Sequence, residues 1–259
     1  MNDLKITIIQ ADVIWENAKA NLEAFTTTIH SIEATDLIIL PETFSTGFSM
    51  NSAKLAEPMG GLTMAWMADI AKQSNAVIAG SLILEEGGKI YNRFIWMRPD
   101  GTFEKYDKRH LFTMGNEHNH YTKGQENLIV ELKGWNICPQ ICYDLRFPVW
   151  SRNNSKNPYD LLIYVANWPE VRIAAWEKLL YARAIENQCY VAAVNRIGVD
   201  GEGVNCIGNS MLIDSKGDQL WKATDSKEET KTALLSMKEL NAFREKFPVL
   251  EDGDGFTLQ

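Results

Sequence analysis

The chain has 259 residues, 45% hydrophobic and 23% charged, with 26 Lys and Arg against 34 Asp and Glu for a formal net charge of −8. This is an ordinary globular composition, and its acidity disfavours nucleic acid as a partner, since an acidic surface repels a polyanion. No run approaches the roughly 20 apolar residues that cross a bilayer, the amino-terminal apolar run is too short for a signal segment, and four Cys are too few for a disulfide scaffold. A cytoplasmic protein with no membrane partner is expected, and the length fits a single domain over residues 1–259.

Residues 4–9 read as a strand, followed by Ala18, Leu22, Phe25, Ile29 and Ile32 at helical spacing. Residues 36–41 form a nearly continuous apolar run, the pattern of a strand buried on both faces that stops at Glu42. A helix is predicted over 62–74. The runs 77–84, 90–97 and 103–106 are separated by Gly87-Gly88 and Pro99-Asp100-Gly101, so an antiparallel meander is predicted. Residues 113–125 are polar and aperiodic, a functional loop. Strands are expected over 128–132, 135–141, 159–166, 190–194, 207–213, 219–221 and 233–236, with helices over 173–188 and 240–246. Alternating strands and helices with antiparallel meanders define an α/β fold of mixed sheets with helices outside. Sites in such folds lie at strand ends, which directs inspection to Glu42, Cys142 and Asn167.

Cys142 follows the apolar residues 137–141 and opens Tyr143-Asp144-Leu145-Arg146, which reads as the first turn of a helix. A thiol at such a turn is favoured as thiolate and stands beside backbone N–H groups able to bind an oxyanion. The competing reading is a buried small hydrophobe, which is the reading given to Cys138, Cys189 and Cys206. Cys138 and Cys142 have a spacing that a metal can use, but Cys189 and Cys206 form no second knuckle, so no metal or cofactor is predicted. A base for the thiol comes either from a histidine, with His110 and His118 as candidates, or from Glu42, a carboxylate desolvated at a strand end. Lys108 lies between a strand and Leu111-Phe112, so its ammonium either faces inward or is solvated.

Leu40-Pro-Glu42-Thr-Phe44, Tyr106-Asp-Lys108-Arg-His-Leu-Phe112 and Gln140-Ile-Cys142-Tyr-Asp-Leu-Arg146-Phe-Pro148 resemble, in that order, the Glu, Lys and Cys motifs of the nitrilase (carbon-nitrogen hydrolase) superfamily. So do Ala166-Asn-Trp-Pro169 and Ala182-Arg-Ala-Ile-Glu-Asn187, and the similarity runs from Ile6 to about Asp214. The chain looks most like the ω-amidase branch, which hydrolyses the terminal amide of 2-oxo-dicarboxylic acid monoamides. The resemblance implies a four-layer α-β-β-α sandwich, paired as a homodimer. It implies Glu42 as general base, Lys108 as cationic stabiliser, Cys142 as nucleophile and Glu117 as a second active-site carboxylate. Val149 departs from the acidic residue that many relatives carry after Phe-Pro, a change expected at the pocket rim.

The expected chemistry is attack by Cys142, with the oxyanion held by Lys108 and the Tyr143 backbone N–H, and passage through a thioester. An anionic substrate needs a local cation in an acidic protein, and Arg172 is the candidate, either gripping a carboxylate or paired with Glu170 or Glu177. Trp168 and Phe44 are expected to wall a short pocket or to be plain core. Other readings stay open: the same triad acting on a nitrile, an N-carbamoyl amine or another aliphatic amide, a His-assisted Cys hydrolase, or a thiol-sensing module.

Overall fold

Residues Leu37–Ile39 are all buried, yet they serve two cores: Leu37 and Ile39 face one side and Ile38 the other, as the two-residue period of a strand requires. The computed structural model describes residues 3–256, so the ends of the expected 1–259 domain, 1–2 and 257–259, lie outside the described residues. In it, two whole sheets divide their faces in the same way. The first sheet has the parallel strands Leu4–Gln10, Leu37–Ile39 and Val77–Glu86 at its centre. Antiparallel Glu229–Leu235 flanks them on one side, and Lys89–Met97 and Phe103–Asp107 on the other. The second sheet centres on parallel Tyr190–Asn195, Leu161–Ala166 and Trp135–Ile141.

Ile6, Ile8, Leu37 and Ile39 of the first sheet meet Ile137, Ile163, Val165 and Val194 of the second in one buried cluster. The outer face of the first sheet, through Ile9, Ile38 and Ile78, packs under Leu22, Phe25 and Ile29 of helix Ala18–Ser31 and Met67 and Ile70 of helix Leu62–Ser74. The outer face of the second lies under Trp176, Leu180 and Ala184 of helix Ile173–Asn187. Because both faces of each sheet leave water, the four layers follow in the order α-β-β-α. Local chemistry sets the helix ends: the Asn17 side chain accepts from the Ala20 N–H, and Asn75 closes Leu62–Ser74 in a left-handed conformation.

Three expectations change in kind, and the last strand and helix also begin earlier than expected, at Glu229 and Met237. The strand expected over 207–213 is divided, because Gly208 and Asn209 take φ of 79° and 64° and break the extended run. Gly208 packs so tightly that a Cβ there would lie 2.2 Å from the Gln10 amide. Residues Asn205–Ile207 therefore leave the sheet and pair with Ile197–Val199 as a separate ribbon, while Met211–Ile213 stays in it. The aperiodic stretch after Phe112 contains two short 3-10 turns, Thr113–Gly115 and Glu117–Asn119. The helix expected to begin at Cys142 is one 3-10 turn, Cys142–Arg146.

Candidate active site

Three strand ends meet at one edge of the sandwich: Leu37–Ile39 leads to Glu42, Trp135–Ile141 to Cys142, and Leu161–Ala166 to Asn167. The cation comes from the antiparallel part of the first sheet, where Lys108 follows Phe103–Asp107 and its N–H donates to the Asn92 carbonyl at 3.0 Å. Two sharp turns aim the side chains. Thr43, just after Glu42, has φ 44°, and Cys142 itself has φ 43°, both in the left-handed region that non-glycine residues occupy only under constraint.

Glu42, Lys108 and Glu117 are almost completely buried. Lys108 Nζ donates to Glu42 Oε1 and to Glu117 Oε1, both at 2.9 Å. Glu117 Oε2 also accepts from the Phe112 N–H at 2.5 Å. Glu42 is held from every side: Asn92 Nδ2 donates to Oε1 at 2.8 Å, the Asn167 N–H to Oε2 at 2.7 Å, and Asn167 Nδ2 to the Glu42 carbonyl at 2.8 Å. Burial opposes the Lys108 charge, but Glu117, Glu42 and Cys142 outweigh it and hold the ammonium well above its usual range. Burial pushes the Glu117 carboxyl up, with Lys108 acting against it and Glu42 with it.

The Cys142 thiol is also pushed well up, first by burial and then by Glu42, while Lys108 pulls it down. The sequence-based expectation of a favoured thiolate is therefore corrected. A five-residue 3-10 turn supplies little dipole, and two carboxylates against one ammonium favour the proton on sulfur. Burial and the surrounding charge thus both favour a neutral thiol at Cys142. After burial, the strongest influences on the Cys142 thiol are Glu42 and Lys108. His110 bonds through Nδ1 to Asp144 Oδ1 at 2.8 Å.

Cys142, Lys108, Tyr143, Trp168 and Arg172 line one cavity of about 560 Å³. The Arg172 guanidinium sits 5.0 Å from the centre of the Phe112 ring, and that of Arg146 5.0 Å from Trp168. Neither has a carboxylate within ion-pairing distance among the described residues. Glu170 accepts from Asn205, and Glu177 pairs with Lys222, so neither expected partner engages Arg172. Phe44 is a correction: it does not line the cavity. It is fully buried on the helix side of the first sheet, 5.6 Å from Phe25 and 5.8 Å from Trp66 between ring centres, because the turn at Thr43 directs it away from Glu42. Phe48 takes the place expected of it, with its ring 4.8 Å from Lys108 Nζ. Cys206, read as core, also lines the cavity, whereas Val149 is exposed and does not.

Asn92 and Arg146 were not singled out by sequence reasoning. The only signal for Asn92 was a lone amide within an apolar strand, and Arg146 stood in the Cys142 motif without a role.

A sandwich with a buried Glu-Lys-Glu cluster beside a strand-end cysteine defines a class. The Carbon-nitrogen hydrolase family pattern matches residues 5–245, and the chain belongs to that family, whose members include amidohydrolases. It is 46% identical over 258 residues, with all of both chains covered, to omega-amidase YafV of Yersinia enterocolitica. It is 33% identical to 2-oxoglutaramate amidase of Bacillus subtilis, over 95% of this chain and 96% of that one. The crystal structure of XC1258 from Xanthomonas campestris, a CN-hydrolase superfamily protein with an arsenic adduct in its active site, superposes with a TM-score of 0.97 at 44% identity over the whole of both chains. Saccharomyces cerevisiae Nit3, of the nitrilase superfamily, shares the fold with a TM-score of 0.86 at 23% identity.

Proposed function

We propose that this enzyme hydrolyses the terminal amide of 2-oxo-dicarboxylic acid monoamides, 2-oxoglutaramate and 2-oxosuccinamate, to the acid and ammonia through a Cys142 thioester. The observation that carries the chemistry is Lys108 Nζ placed 2.9 Å from both Glu42 and Glu117 in the cavity that Cys142 lines. In this reading Glu42 takes the thiol proton as Sγ bonds to the amide carbon. The carbonyl π pair moves to oxygen, which is held by the Lys108 ammonium and the Tyr143 backbone N–H. One such donor is worth about 3 kcal/mol. The oxyanion collapses, the C–N bond breaks, Glu42 returns its proton to nitrogen, and ammonia leaves. Glu42 then deprotonates a water that attacks the thioester carbon; the departing sulfur regains that proton. Glu117 holds Lys108 and steers the water.

The substrate class rests on two guanidiniums, Arg146 and Arg172, that make no ion pair among the described residues, in a cavity that Asp200 and Glu202 also line. Arg172, with Arg146 beside Trp168, offers a carboxylate a bidentate cation in a partly apolar pocket of an otherwise acidic protein. The curated relatives named for omega-amidase and 2-oxoglutaramate amidase support the same class. The test is ammonia release by wild type and Cys142→Ala over 2-oxoglutaramate, 2-oxosuccinamate, glutamine, a simple aliphatic amide, an N-carbamoyl amine and a nitrile. Turnover of the oxo-acid amides, lost in Cys142→Ala, supports the reading. Preference for another panel member keeps the triad and discards the substrate.

The same reading makes residues 1–259 one domain that pairs as a homodimer in the cytoplasm, where its four free cysteines stay reduced. Light scattering of the purified protein tests the pairing.

A further inference from the structure

The nucleophile and the cation sit on different sheets, Cys142 at the end of a parallel strand and Lys108 at the end of an antiparallel one. Strand register within either sheet does not fix the separation between them. The Asp144 carboxylate ties the turn that carries Cys142 directly to the segment that carries Lys108. Asp144 is fully buried in the turn that carries Cys142, and four donors converge on it. Its Oδ1 accepts from the His110 N–H at 2.9 Å and from His110 Nδ1 at 2.8 Å. Its Oδ2 accepts from the Tyr106 hydroxyl at 2.7 Å and from the Ile141 N–H at 3.1 Å. Three of these donors belong to Tyr106 and His110, two positions either side of Lys108; the fourth belongs to the residue before Cys142. Tyr106 is itself pinned, since its oxygen accepts from Trp150 Nε1 at 2.9 Å and from the Arg109 N–H at 3.3 Å.

We infer that Asp144 is a positioning residue that sets Cys142 against Lys108 by tying the turn after one sheet to the segment leaving the other. The inference rests on the reading of Cys142 and Lys108 given above. It also accounts for the left-handed backbone of Cys142, a conformation that persists only where its surroundings over-determine it. An ionised carboxylate can accept all four bonds because it has only acceptors; an asparagine in its place presents an N–H₂ to two of the donors.

Asp144→Asn is therefore expected to lower kcat by about 100-fold, the penalty typical of a misplacement near 1 Å, with KM within about threefold of wild type. Alkylation of Cys142 by iodoacetamide, followed by mass spectrometry at fixed pH, is expected to slow about tenfold, which equals a one-unit rise in the thiol pKa as Lys108 withdraws. Tyr106→Phe and His110→Gln, each removing one donor and leaving Asp144 in place, are expected to give smaller losses in kcat. They carry the test if Asp144→Asn does not fold. Ile6→Ala, a core change remote from the site, is the control for stability alone and is expected to melt lower with kcat unchanged.

The inference is overturned if folded Asp144→Asn keeps kcat within threefold of wild type, if its loss lies wholly in KM, or if activity falls only as the folded fraction falls. It is also overturned if Tyr106→Phe and His110→Gln both leave kcat and alkylation unchanged. Should wild type turn over nothing in the amide panel, the functional reading fails, and the ratio of Cys142 alkylation rates between Asp144→Asn and wild type still decides the positioning role.

Discussion

Lys108 faces two carboxylates and one thiol, and the charge around that thiol determines its chemistry. The carboxylates favour the protonated sulfur and the ammonium favours the thiolate, with burial siding with the proton. Iodoacetamide labelling of Cys142 in the resting enzyme should therefore keep rising with pH through 9, the ordinary thiol value. In Glu117→Gln the labelling profile should move to lower pH, because one repelling carboxylate is gone. The same variant should lose kcat on the order of a hundredfold, as the Lys108 ammonium loses one of its two anchors. A labelling profile that plateaus below pH 7 in wild type would refute the neutral-thiol resting state. The stability sign for Lys108 runs the other way. Its raised pKa means its contribution is complete below 10.5 and is lost as pH climbs through the folded value, so denaturant midpoints should fall only at strongly alkaline pH.

A loop glycine governs how the segment bearing Lys108 is seated. The Gly124 N–H donates to the Lys108 carbonyl at 2.9 Å, and a Cβ on Gly124 would stand 2.1 Å from the Asp107 carbonyl oxygen. Gly124→Ala must push residues 107–109 aside. It should destabilise the fold by about 1–3 kcal/mol and lower kcat more than a surface substitution of equal stability cost, as read by paired melting and ammonia-release assays. At this scale the sequence was readable where periodicity ran long. Leu62–Ser74 and Trp135–Ile141 have the predicted ends, because Met64, Met67, Ile70 and Ala71 mark one helical face and the alternation of 135–141 meets a turn at each end. It failed at 207–213, where two left-handed residues, one of them a glycine pressed on Gln10, divided an apolar run that periodicity alone reads as one strand.

Two sheets with both faces buried make the whole molecule depend on side chains that meet across the sandwich. Ile6 is fully buried between the sheets and pairs with Leu37, at the end of the sheet opposite Glu42. Ile6→Ala should cost about 2–5 kcal/mol, and at roughly 2–4 °C per kcal/mol for a chain of this size the melting temperature should drop by about 4–20 °C. A loss of kcat in the folded variant would show that the core and the catalytic edge are coupled more tightly than the layer order implies.

The sequence by itself determined the strands buried on both faces, the principal helices, and the order of the Glu42, Lys108 and Cys142 motifs, since these depend on local periodicity and on residues next to one another in the chain. The tertiary structure alone decided which buried face met the other sheet and which met a helix, and so placed Phe44 under Phe25 and Trp66 while Phe48 reached the cavity. It also brought the Asn92 amide to Glu42, the Asp144 carboxylate to Tyr106 and His110, and Arg146 to Trp168. The reason is geometric. A side chain's direction at a turn hangs on single backbone angles, such as those of Thr43 and Cys142, and the left-handed values there, on residues other than glycine, are imposed by packing from distant parts of the chain.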